Sequence, residues 1–229
     1  MPPPTPSTRA GTAQRAVDVA ERLVQVRGYN AFSYADVATE LGVTKASLHY
    51  HFPGKAELGQ ALIDRYAARF REALADIDRC GADAPTRLQA YIGLHYDIVH
   101  QQRMCLCGIL AAEHATLPLS MRTAVTEFFD DNEAWLTTVL ADGIEDGTLS
   151  IVGPVTEAAR QIVSGLEGAM LLAHAYNSIS RFESTASRLL TPLIAPAPIA
   201  AGEEVRSAAA RDRRAARSKR PAPASRSQK

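Results

Sequence analysis

The apolar positions repeat at helical spacing along nearly the whole chain. In "TAQRAVDVAERLVQVRG" Ala16, Ala20, Leu23 and Val24 fall on one face, and Gly28 stands where a helix would stop. In "SYADVATELG" the set Tyr34, Val37, Ala38 and Leu41 follows i, i+3, i+4, i+7, with Ser33 and Asp36 spaced as a capping box and Gly42 as the terminator. Thr44 caps a second short helix over about residues 45–51, which Pro53-Gly54 breaks. Leu58, Leu62 and Tyr66 then stack at i+4 in a long helix to about Ile77. "CGADAPT", residues 80–86, reads as a loop, followed by helices at about 86–102, 105–115, 119–146, 155–179 and 181–194. Sustained period-two runs and Asn-Gly or Asp-Gly hairpins are missing, so the expected fold class is all-α.

Charge adds a division that hydropathy does not show. The net charge of zero over 229 residues conceals +2 in residues 1–70, −8 in 71–195 and +6 in 196–229. Such asymmetry hints at contact with nucleic acid. Residues 196–229 are dominated by Ala, Pro, Ser and Arg, and are expected to form a disordered basic tail that adds salt-dependent attraction to DNA. Residues 1–9 are also expected to be disordered. The N-terminal "MPPPTPSTRAGT" lacks the apolar segment of a secretory signal, and no run of about 18 apolar residues exists. Three cysteines do not make a disulfide framework. The expectation is a cytoplasmic protein with no membrane partner.

The stretch "LGVTKASLHYHFPGK" carries the first chemistry. Two short helices around Leu41-Gly42-Val43-Thr44 match a helix-turn-helix. With Leu48 facing the core beside Thr44 and Phe52, the open arc holds Lys45, Ala46, Ser47, His49 and Tyr50. Ala46 permits close approach to a base edge, and the others can donate to phosphates or bases of a major groove. Lys55 opens the next helix, where charge and free N–H groups suit a phosphate. His51 either braces the fold or reaches DNA, and Thr44 either caps alone or also contacts DNA. His49 and His51 diverge by about 200° on a helix, against the i, i+4 spacing of metal pairs, and no nucleophile–base–orienter set accompanies them. No catalytic residue, metal or cofactor is assigned.

"GYNAFSYADVATELGVTKASLHYHFPGKAELGQALIDRY" resembles the DNA-binding domain of TetR/AcrR-type bacterial transcriptional regulators, carried by Gly28, Phe32, Val37, Ala38, Leu41, Gly42, Val43, Leu48, His51, Phe52, Lys55 and Leu58. The resemblance implies an N-terminal three-helix helix-turn-helix DNA-binding domain at 10–70 and a C-terminal helical effector-binding and dimerisation domain at 71–195. It also implies double-stranded operator DNA and a small-molecule effector as partners of a homodimer, and most often a repressor that the effector releases. The implied DNA-contact set is Ser33, Thr44, Lys45, Ala46, Ser47, His49, Tyr50, His51 and Lys55. His49 departs from the tyrosine usual at its position, which typically touches a phosphate.

In the C-terminal part, candidate effector residues are the polar or aromatic groups of apolar helices: Tyr91, His95, Tyr96, Phe128, Trp135, Met170, His174 and Tyr176, with Cys105. Their mix points to a neutral apolar or aromatic effector, while Glu113 and Glu167 would suit a cationic one. A similar cysteine segment occurs in regulators that sense electrophiles or oxidants, so Cys105, with Arg103 as the nearest cation, is the alternative sensor. Cys105, Cys107, His100 and His114 also offer a metal-site alternative. Ser164, Gly165, Gly168 and Ala169, near Leu172, form a small-residue face suited to a dimer interface. A helical enzyme is the rival reading, and no nucleophile elbow, phosphate loop or cofactor fingerprint supports it.

Overall fold

The computed structural model describes residues 6–194, with side chains from Gly11 onward; the basic tail and residues 1–5 lie outside the described residues. The described chain is helical: α1 Pro6–Arg27, α2 Tyr34–Leu41, α3 Lys45–His51, α4 Lys55–Arg79, α5 Ala84–His100, α6 Leu106–Ala112, α7 Leu119–Glu145, α8 Val155–Ala175 and α9 Ile179–Leu190. A single 3₁₀ turn, His114–Thr116, follows α6. Leu149 and Ile194 pair as an isolated antiparallel bridge.

Capping sets the boundaries as read from the sequence for α2 and α3. The Ser33 side chain accepts from the Asp36 amide while Asp36 accepts from Ser33, a complete capping box. Gly42 adopts φ +65°, the left-handed conformation that ends α2. Thr44 Oγ1 accepts from the Ser47 amide at 3.2 Å and opens α3. Elsewhere the ends differ from the expectation. α1 begins at Pro6, inside the stretch read as disordered. α5 begins at Ala84 because Asp83 caps the Thr86 amide at 3.0 Å. α6 is shorter than expected because Cys105 is its cap and the chain tightens after Ala112. α8 stops at Ala175, where Asn177 at φ +47° reverses the chain into α9. α4 passes through residue 70 without interruption, so the division at 70/71 falls inside a helix.

One continuous core joins the layers. In the first part, Ala16, Ala20, Val24, Phe32, Val37, Leu48, Leu58 and Leu62 are buried among α1–α4. In the second, Leu88, Tyr91, Leu106, Met121, Leu136, Leu166, Met170 and Phe182 are buried among α4–α9. Glu21 of α1 accepts from both Arg65 and Arg69 of α4 at 2.6 Å, fixing the two long helices together. Arg87 reaches Asp78 at 2.7 Å and Asp142 at 2.8 Å, tying α4, α5 and α7. Of the three cysteines, Cys80 at the end of α4 is exposed, and Cys105 and Cys107 are buried.

Candidate nucleic-acid interface and effector core

α3 is a seven-residue helix that hides one side chain. Leu48 is 1% exposed and Lys45, Ala46 and Tyr50 are exposed, with Ser47 half-buried. That is the open arc expected from the helical wheel. Tyr50 is 70% exposed, its ring edge-on to His51 at 5.2 Å. His51 is half-buried and also lies 6.5 Å from the Phe52 ring, on the bracing side.

Two residues of the expected set point elsewhere. His49 is exposed, yet its ring packs on Tyr34 at 4.6 Å and its Nδ1 lies 3.0 Å from the Pro53 carbonyl. A carbonyl only accepts, so Nδ1 carries a proton and is the donor. The phenol of Tyr34, pushed up to about 12 by burial and by Glu57, donates to the carbonyls of Phe52 at 2.9 Å and Gly54 at 2.5 Å. Tyr34 and His49 together hold the α3–α4 connection. Lys55, expected to face a phosphate, lays its ammonium 4.5 Å from both the Tyr29 and Phe32 rings. Burial lowers its pKa, and Glu113 and Asp36 offset part of that effect. Ser33 and Thr44 hydroxyls both serve helix caps.

The effector candidates separate into several places. Tyr91, His95 and Phe128 sit with Tyr66 and Phe70 in a buried aromatic cluster between α4, α5 and α7, with ring separations of 4.9–6.2 Å. Tyr91 donates to Asn132 at 3.1 Å and stacks on Trp135, whose indole N–H donates to Asp78 at 3.0 Å. Burial drives the His95 imidazole down to about 4. Met170 and His174 instead line a cavity of about 630 Å³ with Val26, Val99, Gln102, Arg103 and Asn177. Tyr96 lies on a different hollow beside Phe182 and Glu183, and Tyr176 is exposed under the guanidinium of Arg181. The nine residues therefore do not share one chamber. Val26, Gln102 and Asn177 escaped the sequence reading because nothing in their local pattern marks them; only the fold brings α1 against the end of α8.

The cysteine region is buried and does not supply the surroundings of an activated thiolate. The Cys105 Sγ accepts from the Gly108 amide at 3.4 Å and from the Tyr66 hydroxyl at 3.6 Å. Burial, with Glu167 and Cys107 beside it, pushes the thiol well above its ordinary range. Arg103 lies on the cavity wall. Glu167 Oε2 is sealed from solvent without a hydrogen-bond partner, and burial raises the carboxyl to about 7. Among the described residues no three His, Cys, Asp or Glu side chains converge as a metal site, so the Cys105, Cys107, His100 and His114 set is not assembled.

The small-residue face of α8 is also divided. A Cβ on Gly165 would stand 2.8 Å from Leu189 of α9, and Ala169 is buried, so both pack within the chain. A Cβ on Gly168 would meet nothing within 4 Å, and Ser164, Leu171 and Leu172 beside it are exposed.

Comparison with known proteins agrees with this architecture. Residues 16–62 match the family described as bacterial regulatory proteins, tetR family, and residues 84–189 match the tetracyclin repressor-like C-terminal domain. A solved TetR-family transcriptional regulator from Agrobacterium tumefaciens is 31% identical and superposes with a TM-score of 0.80, covering 82% of this chain and 100% of that one. The HTH-type transcriptional repressor NemR of Escherichia coli K12 is 24% identical over 83% of this chain and 98% of its own length. Its reduced-form crystal structure shares the fold with a TM-score of 0.70 over 81% of this chain.

Proposed function

The chain belongs to the TetR family and is a DNA-binding transcriptional regulator, and from the arrangement of its helices we propose that it is a homodimeric repressor, released from a palindromic operator by a small apolar or aromatic molecule. Regulators of this family bind operator DNA and small-molecule effectors, act as dimers and are generally not enzymes. Among the described residues no helix is long and apolar enough to cross a membrane, and the proposed place of action is the cytoplasm, on the chromosome.

The observation that carries the reading is α3 itself. A capped helix with a buried Leu48 and an outward arc of Lys45, Ala46, Ser47 and Tyr50 suits insertion into a major groove. Lys45 supplies the phosphate contact, and Ala46 and Tyr50 the close approach to bases. Ser33, Thr44, His49, His51 and Lys55 hold this helix and its flanking turns in place. Residues 10–70 form the DNA-binding part and 71–195 the effector and dimer part, with α4 common to both. The exposed strip Ser164, Gly168, Leu171 and Leu172 supports a four-helix dimer contact through α8 and α9. The cavity between α1, α5 and α8 gives an effector room. Negative charge over 71–195 keeps DNA on the helix-turn-helix side.

Gel-shift competition tests the proposal. Labelled DNA from upstream of the protein's own gene and its neighbours is challenged with unlabelled specific and random duplexes. A site retained against random competitor supports the repressor reading, and equal competition by both overturns it.

A further inference from the structure

The α1–α2 turn carries an anion-binding arrangement that the chain fills for itself. Gly28 takes φ +87°, and the amides of Tyr29 and Asn30 that follow point to one spot. The Glu113 carboxylate occupies that spot: Oε2 accepts from Tyr29 N at 2.7 Å and from Asn30 N at 3.2 Å. A side chain at residue 28 has no place, since a Cβ there would stand 2.6 Å from Glu113 Oε1. Asn30 Nδ2 donates to Thr116 Oγ1 at 2.8 Å, a second strut to the same segment. The Lys55 ammonium closes the group from the α4 side, resting on Tyr29 and Phe32 and feeling the Glu113 charge.

The other end of that segment is anchored too. Gln25 of α1 and Met104 exchange two hydrogen bonds, of 3.0 and 3.1 Å. Between the two anchors Cys105 accepts from Tyr66 of α4, and the Glu167 carboxyl of α8 lies against Gly108, where no side chain would fit. So α6 touches the effector part along its body, and Glu113, the residue that caps its C-terminal end, grips the helix-turn-helix part.

We propose that Glu113 is a positioning residue for DNA recognition: its carboxylate sets the α1–α2 turn, and with it the presentation of α3, against α6. Glu113 touches no DNA. It restricts the orientations that α3 can take, and so raises affinity for a spaced pair of half-sites without altering attraction to DNA in general. This rests on the regulator reading above.

The experiment uses the full-length protein and an operator found by the competition assay. Wild type, Glu113→Gln and Glu113→Ala are compared for affinity to operator and to random duplex, with hydrogen exchange of the Tyr29 and Asn30 amides measured in parallel. Expected for Glu113→Ala are faster exchange at both amides and a loss of operator affinity of about tenfold. Random-duplex affinity stays unchanged. Glu113→Gln retains a carbonyl acceptor and falls between. Faster exchange with unchanged operator affinity overturns the proposal, because Glu113 is then only a local cap. Unchanged exchange overturns it as well. Should Glu113→Ala lose protection across α7 and α8, Glu113→Gln is judged by the same two criteria. A wild-type protein with no preferred duplex defeats the regulator reading instead, before any variant is compared.

Discussion

Among single residues, two lysines that look equivalent in the sequence have different surroundings. Lys45 stands exposed on α3, while the Lys55 ammonium is folded onto Tyr29 and Phe32. Lys45→Ala should weaken binding to every duplex and lower the slope of log affinity against log salt by about one. Lys55→Met should leave that slope unchanged and lower thermal stability. Titrations at several salt concentrations separate the two; a slope change at Lys55 would mean that its side chain swings out on DNA. The direction of Lys45 was legible from the wheel, because α3 is short, capped and anchored by one leucine. The direction of Lys55 was not, because it depends on two rings in a turn more than twenty residues earlier in the chain. His49 likewise needed the position of Tyr34, which no local spacing reveals.

For whole helices, α8 shows what periodicity resolves and where it stops. Its small residues were visible at helical spacing, but not which partner each one meets. Gly165 lies against Leu189 of α9, and Gly168 faces open space three residues later. The two positions should therefore respond differently. Gly165→Val forces Leu189 aside and should lower stability by about 1–3 kcal/mol in urea denaturation. Gly168→Trp should leave the stability of the monomer near wild type and shift sedimentation from dimer toward monomer. If Gly168→Trp stays dimeric, the exposed strip of α8 is not the interface. Helix number and type were readable throughout from apolar spacing and caps, whereas several ends were missed where a tertiary contact, as at Cys105, decides them.

At the scale of the molecule, the core holds two groups with opposed proton preferences. Glu167 is raised from 4.5 to about 7 by burial, and His95 is lowered from 6.5 to about 4 by burial. The folded chain keeps the Glu167 proton that the unfolded chain gives up, so this stabilisation is complete below pH 4.5 and is lost as pH rises through about 7. His95 works the other way: its contribution is complete above pH 6.5 and is lost as pH falls through about 4. Between pH 4.5 and 6.5 the two slopes oppose each other. Glu167→Gln should remove one of them. The stability difference, wild type minus variant, should then fall by about 1.4 kcal/mol per pH unit across that window. His95→Gln should give a difference that rises by a similar amount. Urea midpoints measured from pH 4.5 to 7 decide this, and parallel curves would show that neither group titrates as its surroundings require. No reading of the sequence supplies this pair, since Glu167 and His95 acquire their burial only when α5 and α8 meet the same core.

The exposure of Cys80, with Cys105 and Cys107 sealed, has a practical consequence. The native chain should take up one equivalent of a maleimide dye and the denatured chain three, as intact mass would show. The single native attachment point directly follows the last residue of α4, about 37 Å from the end that meets α3, for 25 residues at 1.5 Å each. A fluorophore placed there would report on the C-terminal end of α4 in the unmodified sequence, with no engineered cysteine.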